Sequence, residues 1–287
     1  MTTYVVGVDR SAPARTALDW VLAVATGDDV IVAAYAPEEP VNPIYEGVVA
    51  VVPESIEDDA QAFVDRIVSE VDDPRLTGRL LTGHAGRALV DVARTSEPDV
   101  TVVVGHGGSS KASLLLGSTT HYVTHHAESP VVVVRGAARR SVRRVVVGVD
   151  DGHDAPHHRS LAALRWAVRL PGVDRIEVSH ADFVPGVAAG PVREPGLESD
   201  QAAGVDLELI RTAIDLATDG TGVPPNGADI VPVLSAGTGA FALIEASRDA
   251  DLVVIGTHGR SALVELILGS TSLEILAHAH CPVAVIR

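Results

Sequence analysis

Tyr4–Asp9 reads YVVGVD and Val145–Asp150 reads VVVGVD. Each is a β-branched apolar run closed by a glycine and an aspartate. Each leads into a helix-forming segment, ALDW ending at Trp20 and ALRW ending at Trp166. A buried-type strand, a turn and a helix make the opening of a β-α-β unit, and its recurrence says that one fold is present twice. Further along, DVTVVVGHG from Asp99 matches DLVVIGTHG from Asp251, LLLGST from Leu114 matches LILGST from Leu266, and SPVVVVR matches CPVAVIR. Each of these pairs stands 152 residues apart, so the copies align there without a gap. The first domain is read as residues 1–135, the second as 143–287, and the stretch GAARRSV at 136–142 as a linker of small and basic residues.

Within each half, strand-like and helix-like segments alternate. In the first half the strands are YVVGVD, DDVIVAAY, RLLT, DVTVVVG and PVVVVR, and helices are predicted over Ala12–Thr26, Glu54–Val71, Arg87–Thr95 and Ser118–His126. Runs such as VVVG and VVVVR lack polar alternation, as expected of parallel strands covered by helices on both faces. The fold class is α/β, with two tandem doubly wound five-stranded sheets of Rossmann or flavodoxin-like type. Ligands of such sheets sit beyond the carboxyl ends of the strands where strand order reverses. That points to Asp9 and Asp150, and to the glycine loops after Val104 and Ile255.

Composition narrows the ligand. With 38 acidic against 22 basic residues the chain carries a formal net charge of −16, which repels a polyanion, and aromatics make up only 3%. Nucleic-acid binding is therefore not expected. The single cysteine, Cys281, forms no internal disulfide and no thiolate metal cage, and reads as a small core thiol. No apolar run approaches the ~18 residues of a membrane span, and Met1–Arg10 has no signal-peptide pattern, so a cytoplasmic protein without membrane contact is expected.

The loop of the second half runs Gly256-Thr257-His258-Gly259, nine residues, then Gly269-Ser270-Thr271 at the start of a helix. Glycines let backbone N–H groups approach a phosphate closely, and the helix N-terminus adds amide donors and a hydroxyl, together an anion cradle. Walker spacing is absent, and the one lysine is Lys111. These residues, with VGVD, ALxW and the closing HCPVAVIR, resemble the ATP-binding class of universal stress protein in its tandem form. The resemblance spans nearly the whole chain. It implies a nucleotide site of Gly7, Asp9, Gly105, Gly107, Gly117, Ser118 and Thr119 in the first half. In the second half it implies Gly148, Asp150, Gly256, His258, Gly259, Arg260, Gly269, Ser270 and Thr271, with the backbone near His180 bounding the adenine. It further implies ATP with Mg2+ held through the phosphates, pairing of the halves through their last strands, a homodimer of tandem chains and a protein partner. The role implied is in stress response or growth control, with slow or no hydrolysis.

The gap-free alignment places Val104-Gly105-His106-Gly107 against Gly256-Thr257-His258-Gly259, so that either Gly105 slides into the first glycine's role or the first site is weakened. The second site is accordingly expected to be the firmer one, although DGHDAPHHRS after Asp150 adds about five residues near its mouth. A nucleotide-independent interaction scaffold with degenerate pockets is the alternative. Asp9 and Asp150 also suit helix capping. His121 and His125 lack a partner carboxylate for an HExxH metal site, and His153, His157 and His158 read as a solvated loop. Gly237–Ala242 mimics a dinucleotide fingerprint in the wrong place, no G-x-S-x-G elbow occurs, and Trp20 and Trp166 read as helix-to-sheet packing.

Overall fold

The computed structural model describes residues 1–37, 54–96, 100–105, 116–135, 141–150, 158–182, 190–192, 201–257 and 268–287. The first half comprises β1 (Thr3–Gly7), α1 (Ala12–Val24), β2 (Val30–Tyr35), α2 (Glu54–Val71), β3 (Leu76–Leu80), α3 (Ala85–Thr95), β4 (Val100–Gly105), α4 (Ser118–His126) and β5 (Val131–Val134). The second comprises β6 (Arg144–Gly148), α5 (His158–Ala167), β7 (Arg175–Asp182), β8 (Gly190–Val192), α6 (Gln201–Ala217), β9 (Asp229–Ala236), α7 (Gly239–Ala246), β10 (Leu252–Gly256), α8 (Ser270–His278) and β11 (Val283–Ile286).

The strands form one sheet in the order β3-β2-β1-β4-β5-β11-β10-β6-β7-β9-β8. Each half supplies five parallel strands, as the sequence suggests, and the two sets join where β5 meets β11 antiparallel. The short strand β8, absent from the sequence reading, adds antiparallel to β9 at the outer edge. The third strand also starts earlier than RLLT implies. Leu76 to Leu80 pairs with Ile31 to Tyr35, and Gly78 fits there because Val64 of α2 leaves no room for a Cβ.

The valine runs behave as expected of doubly covered strands: Val5, Val102, Val103, Val132, Val133, Val146 and Val254 are fully buried. Full burial of each such side chain contributes roughly 1.5–3 kcal/mol. Alternate residues feed two apolar layers. One lies under α1, α2, α5 and α6 and the other under α3, α4, α7 and α8, and each layer contains residues of both halves. Val142, read as the end of the linker, is itself buried in the first of these layers.

At the seam Val132 faces Ala284, Val133 faces Val283 and Val131 faces Val285, a register symmetric about the Val132–Ala284 pair. Two arginines repeat that symmetry. Arg135, just past β5, donates to the Leu276 carbonyl of α8, and Arg287, just past β11, donates to the Thr124 carbonyl of α4 at 2.8 Å. Each thus sets a cation against the carboxyl end of the other half's last helix, where the helix dipole favours positive charge.

Candidate functional site

In each half the reversal of strand order falls between the first and fourth strands, β1 with β4 and β6 with β10. A cleft opens at their carboxyl ends. In the first half it measures about 1010 Å3 and is lined by Gly7, Asp9, Arg10, Ala14, Tyr35, Ala36, Gly83, His84, Gly105 and Ser118 to Thr120, among others. Asp9 is exposed, and its carboxylate accepts the Ser11 N–H at 2.7 Å. Ser11 in turn caps α1 by accepting from the Ala14 N–H. The capping and ligand readings of Asp9 are therefore separable: Ser11 caps the helix, and Asp9 organises the turn before it. Arg10 pairs with Asp59 at 3.2 Å and lies 5.3 Å from the centroid of the Phe63 ring, which packs against Tyr35 at a tilt of 60°.

On the far wall, Gly117 is the N-cap of α4, and no side chain caps it. The first N–H groups of a helix have no intrahelical partners. A Cβ on Gly117 would meet nothing within 4 Å, so the helix end faces open space. Gly105 serves a different purpose. A Cβ there would come within 2.2 Å of the Pro13 carbonyl oxygen, so glycine is needed for β4 to close on the first turn of α1. Gly7 and Gly148 are likewise packing glycines, each beneath a leucine of the following half-layer, Leu89 and Leu243.

The second-half cleft measures only about 200 Å3 and is lined by Gly148, Asp150, Ser160, Ser179, His180, Gly239, Leu243, Gly256, Thr257, Thr271 and neighbours. Here the Ser160 hydroxyl donates to Asp150 at 2.5 Å. His180, 6% exposed, has Nδ1 3.0 Å from the Val149 carbonyl, positioned for Nδ1–H to donate. Gly269 is the N-cap of α8, again without a side-chain cap.

Sheet register corrects the alignment of the loops. Gly105 pairs with Val134 in β5, and Gly256 pairs with Ile286 in β11. Val134 and Ile286 occupy equivalent places relative to the seam, so Gly105 stands where Gly256 stands, and Val104 stands where Ile255 does. The first loop is thus one residue shorter than the second, and on this register it reads Gly105-His106-Gly107-Gly108, with both glycines of the G-x-x-G spacing present. Val104 is an ordinary core valine, 3% exposed.

Of the residues expected at the sites, Gly107, His258, Gly259 and Arg260 lie outside the described residues, as do His153 and His157. The structure brings Gly7, Asp9, Gly105, Ser118 and Thr119 to one cleft and Gly148, Asp150, Gly256 and Thr271 to the other. Ala14, Ser160, Tyr35 and the His84 region were not read from sequence. Their signal is position: Ala14 and Ser160 each stand six residues before the tryptophan of their helix. His121 and His125 stack with ring centroids 4.1 Å apart, and Nδ1 of His125 meets the His121 carbonyl at 2.7 Å. Burial, reinforced by the charges of His121, His126 and Arg287 against a weaker opposing backbone hydrogen bond, holds His125 below its ordinary pKa. Among the described residues no cluster of three His, Cys, Asp or Glu side chains fits a metal ion. Gly237, at φ 115°, needs glycine for the turn into α7, whose N-cap Thr238 accepts from Phe241. No helix among the described residues is long and apolar enough to cross a membrane.

The sequence model of the universal stress protein family matches residues 1–135 and 141–287. A universal stress protein of Mycolicibacterium smegmatis is 28% identical over 301 residues, covering 98% of this chain and 96% of that one. Universal stress protein Rv2624c of Mycobacterium tuberculosis is 30% identical over 163 residues, and there the match spans about half of each chain, 53% of this one and 51% of the relative. Among solved structures, a universal stress protein from Archaeoglobus fulgidus superposes with a TM-score of 0.67 at 17% identity, covering 99% of this chain and 96% of the other.

Proposed function

The chain belongs to the universal stress protein family over both of its halves, and from that premise we propose that it is a regulatory protein that binds an adenine nucleotide, ATP with Mg2+, in the cleft at the carboxyl ends of β1 and β4. The observation that carries this reading is the first-half cleft itself. Its volume of about 1010 Å3 accommodates a nucleotide. Asp9 lines it, and so do Ser118, Thr119 and Thr120 from the first turn of α4, whose N-cap Gly117 brings no side-chain cap. A helix N-terminus with open N–H groups suits phosphate. Mg2+ fits this set as an ion carried by the phosphates, for which the Ser118 and Thr119 hydroxyls on α4 would offer oxygen donors.

Binding is read as the signal, with hydrolysis slow or absent and a protein partner sensing the bound state in stress response or growth control. A homodimer of tandem chains and a cytoplasmic location complete the proposal. The interaction-scaffold alternative took its motive from Val104, and the strand register gives that residue a place in the core instead. Denaturing the purified protein and identifying the released small molecules by chromatography and mass spectrometry tests the reading. An adenine nucleotide near stoichiometric amount is expected. Its absence, together with no heat on titration with Mg-ATP or AMP, refutes it.

A further inference from the structure

We propose that the two clefts are not equivalent, and that the chain binds one nucleotide, in the first half, while the second cleft is narrowed by its own side chains. The inference rests on the adenine-nucleotide reading above and specifies it. Four contrasts carry it. The cavities differ about five-fold, about 1010 against about 200 Å3. The aspartate two residues past the first strand is exposed in the first half, whereas Asp150 is half-buried and takes the Ser160 hydroxyl at 2.5 Å. The helix position that bears Ser160 bears Ala14 in the first half, and a methyl group offers Asp9 no such hydrogen bond. Tyr35, the last residue of β2, is partly exposed beside the cleft, while its register counterpart in β7, His180, is 6% exposed and held against the Val149 carbonyl.

A ligand entering the second cleft therefore meets a smaller space and a carboxylate one of whose oxygens already holds the Ser160 hydroxyl. A ligand entering the first meets a carboxylate and a helix end that face the opening. Asp9 accepts a local backbone N–H, from Ser11, whereas Asp150 holds a side chain of the next helix. Hydrogen bonds to a charged group are among the stronger ones, so the larger cost to affinity falls at the second site.

Calorimetric titration of the full chain with Mg-ATP, and separately with AMP, counts the sites. One site per chain is expected. Asp9→Ala is expected to weaken binding at least ten-fold, and Asp150→Ala to change it less than two-fold. Ser160→Ala, which removes the hydroxyl bonded to Asp150, is expected to reveal a second, weaker site, and a count that stays at one counts against the role of Ser160 in narrowing the second cleft. Two sites of similar affinity in the unaltered chain, or binding lost with Asp150→Ala and kept with Asp9→Ala, overturns the proposal and leaves the nucleotide reading standing. No binding of either nucleotide overturns that reading and this inference with it. Melting curves of each variant separate lost binding from lost folding.

Discussion

The two halves share strand order, crossover pattern and the reversal point at which each cleft opens, yet they fill equivalent positions with different chemistry. Where the first half has Thr3, Val30 and Val32 at the amino ends of its strands, the second has Arg144, Arg175 and Glu177. Glu177 is 6% exposed and bonded to both arginines, at 2.9 and 3.0 Å. Where the first half has Ala14 beside its cleft, the second has Ser160. Backbone topology decides where a cleft forms. The few side chains at its rim decide how much space there is and whether the carboxylate is exposed to a ligand.

Changes that break this comparison can be ranked. Ala284→Asp places a carboxylate in the fully buried centre of the seam, where both halves depend on it. It is expected to cost on the order of 4 kcal/mol or more, and an unchanged denaturation midpoint would contradict the seam. Gly105→Val drives a side chain into the Pro13 backbone, with an expected loss of about 2–3 kcal/mol. Denaturant titration measures that loss.

Arg287→Ala removes one of the two arginine clamps and should lower stability by about 1–2 kcal/mol. Arg135→Ala should do much the same, and a large inequality between the two would mean that the seam is not symmetric in energy. Gly117→Ala fills open space and should change stability by no more than about 1 kcal/mol.

The smallest effect is a dependence on pH confined to the second half. Burial raises the Glu177 pKa, but hydrogen bonds and attraction from Arg144 and Arg175 outweigh it, so the carboxyl titrates below its ordinary value. A lowered folded-state pKa stabilises the protein above the unfolded value, and that contribution disappears as pH falls through the folded one. The stability gap between the unaltered chain and Glu177→Gln should therefore be full at neutral pH and shrink on acidification below ~4.3. A gap that stays constant through that range would show that the cluster acts by packing alone.

Much of this was legible in the sequence, because the repeat YVVGVD/VVVGVD and the unbroken valine runs state a doubly covered parallel sheet directly. The loop register was not, for a physical reason. In VTVVVG and LVVIG, valine matches valine or isoleucine at either of two offsets, so a slip of one residue leaves the apolar pattern intact. Only the strand-end glycine distinguishes the two offsets, and Gly105 has to be glycine because of Pro13, a contact made across the fold. The unequal clefts were hidden for a similar reason. Ser160 and Asp150 are separated by ten residues and a turn, and their contact depends on where α5 settles. Strand β8 is only three residues long and contains Pro191, which gives it little pattern to recognise.

The pair at the centre of the seam has one more consequence. In an assembly of two identical subunits the residue on the symmetry axis faces itself, which here would set valine against valine or alanine against alanine. The chain instead sets Val132 against Ala284, a large side chain opposite a small one within a single apolar layer. Two first halves brought together would crowd at that point, and two second halves would leave a gap. The seam therefore carries a preference for unlike over like, and the tether keeps the unlike mate always within reach. Once the mate is fixed in this way, either cleft is free to change without the other having to change with it.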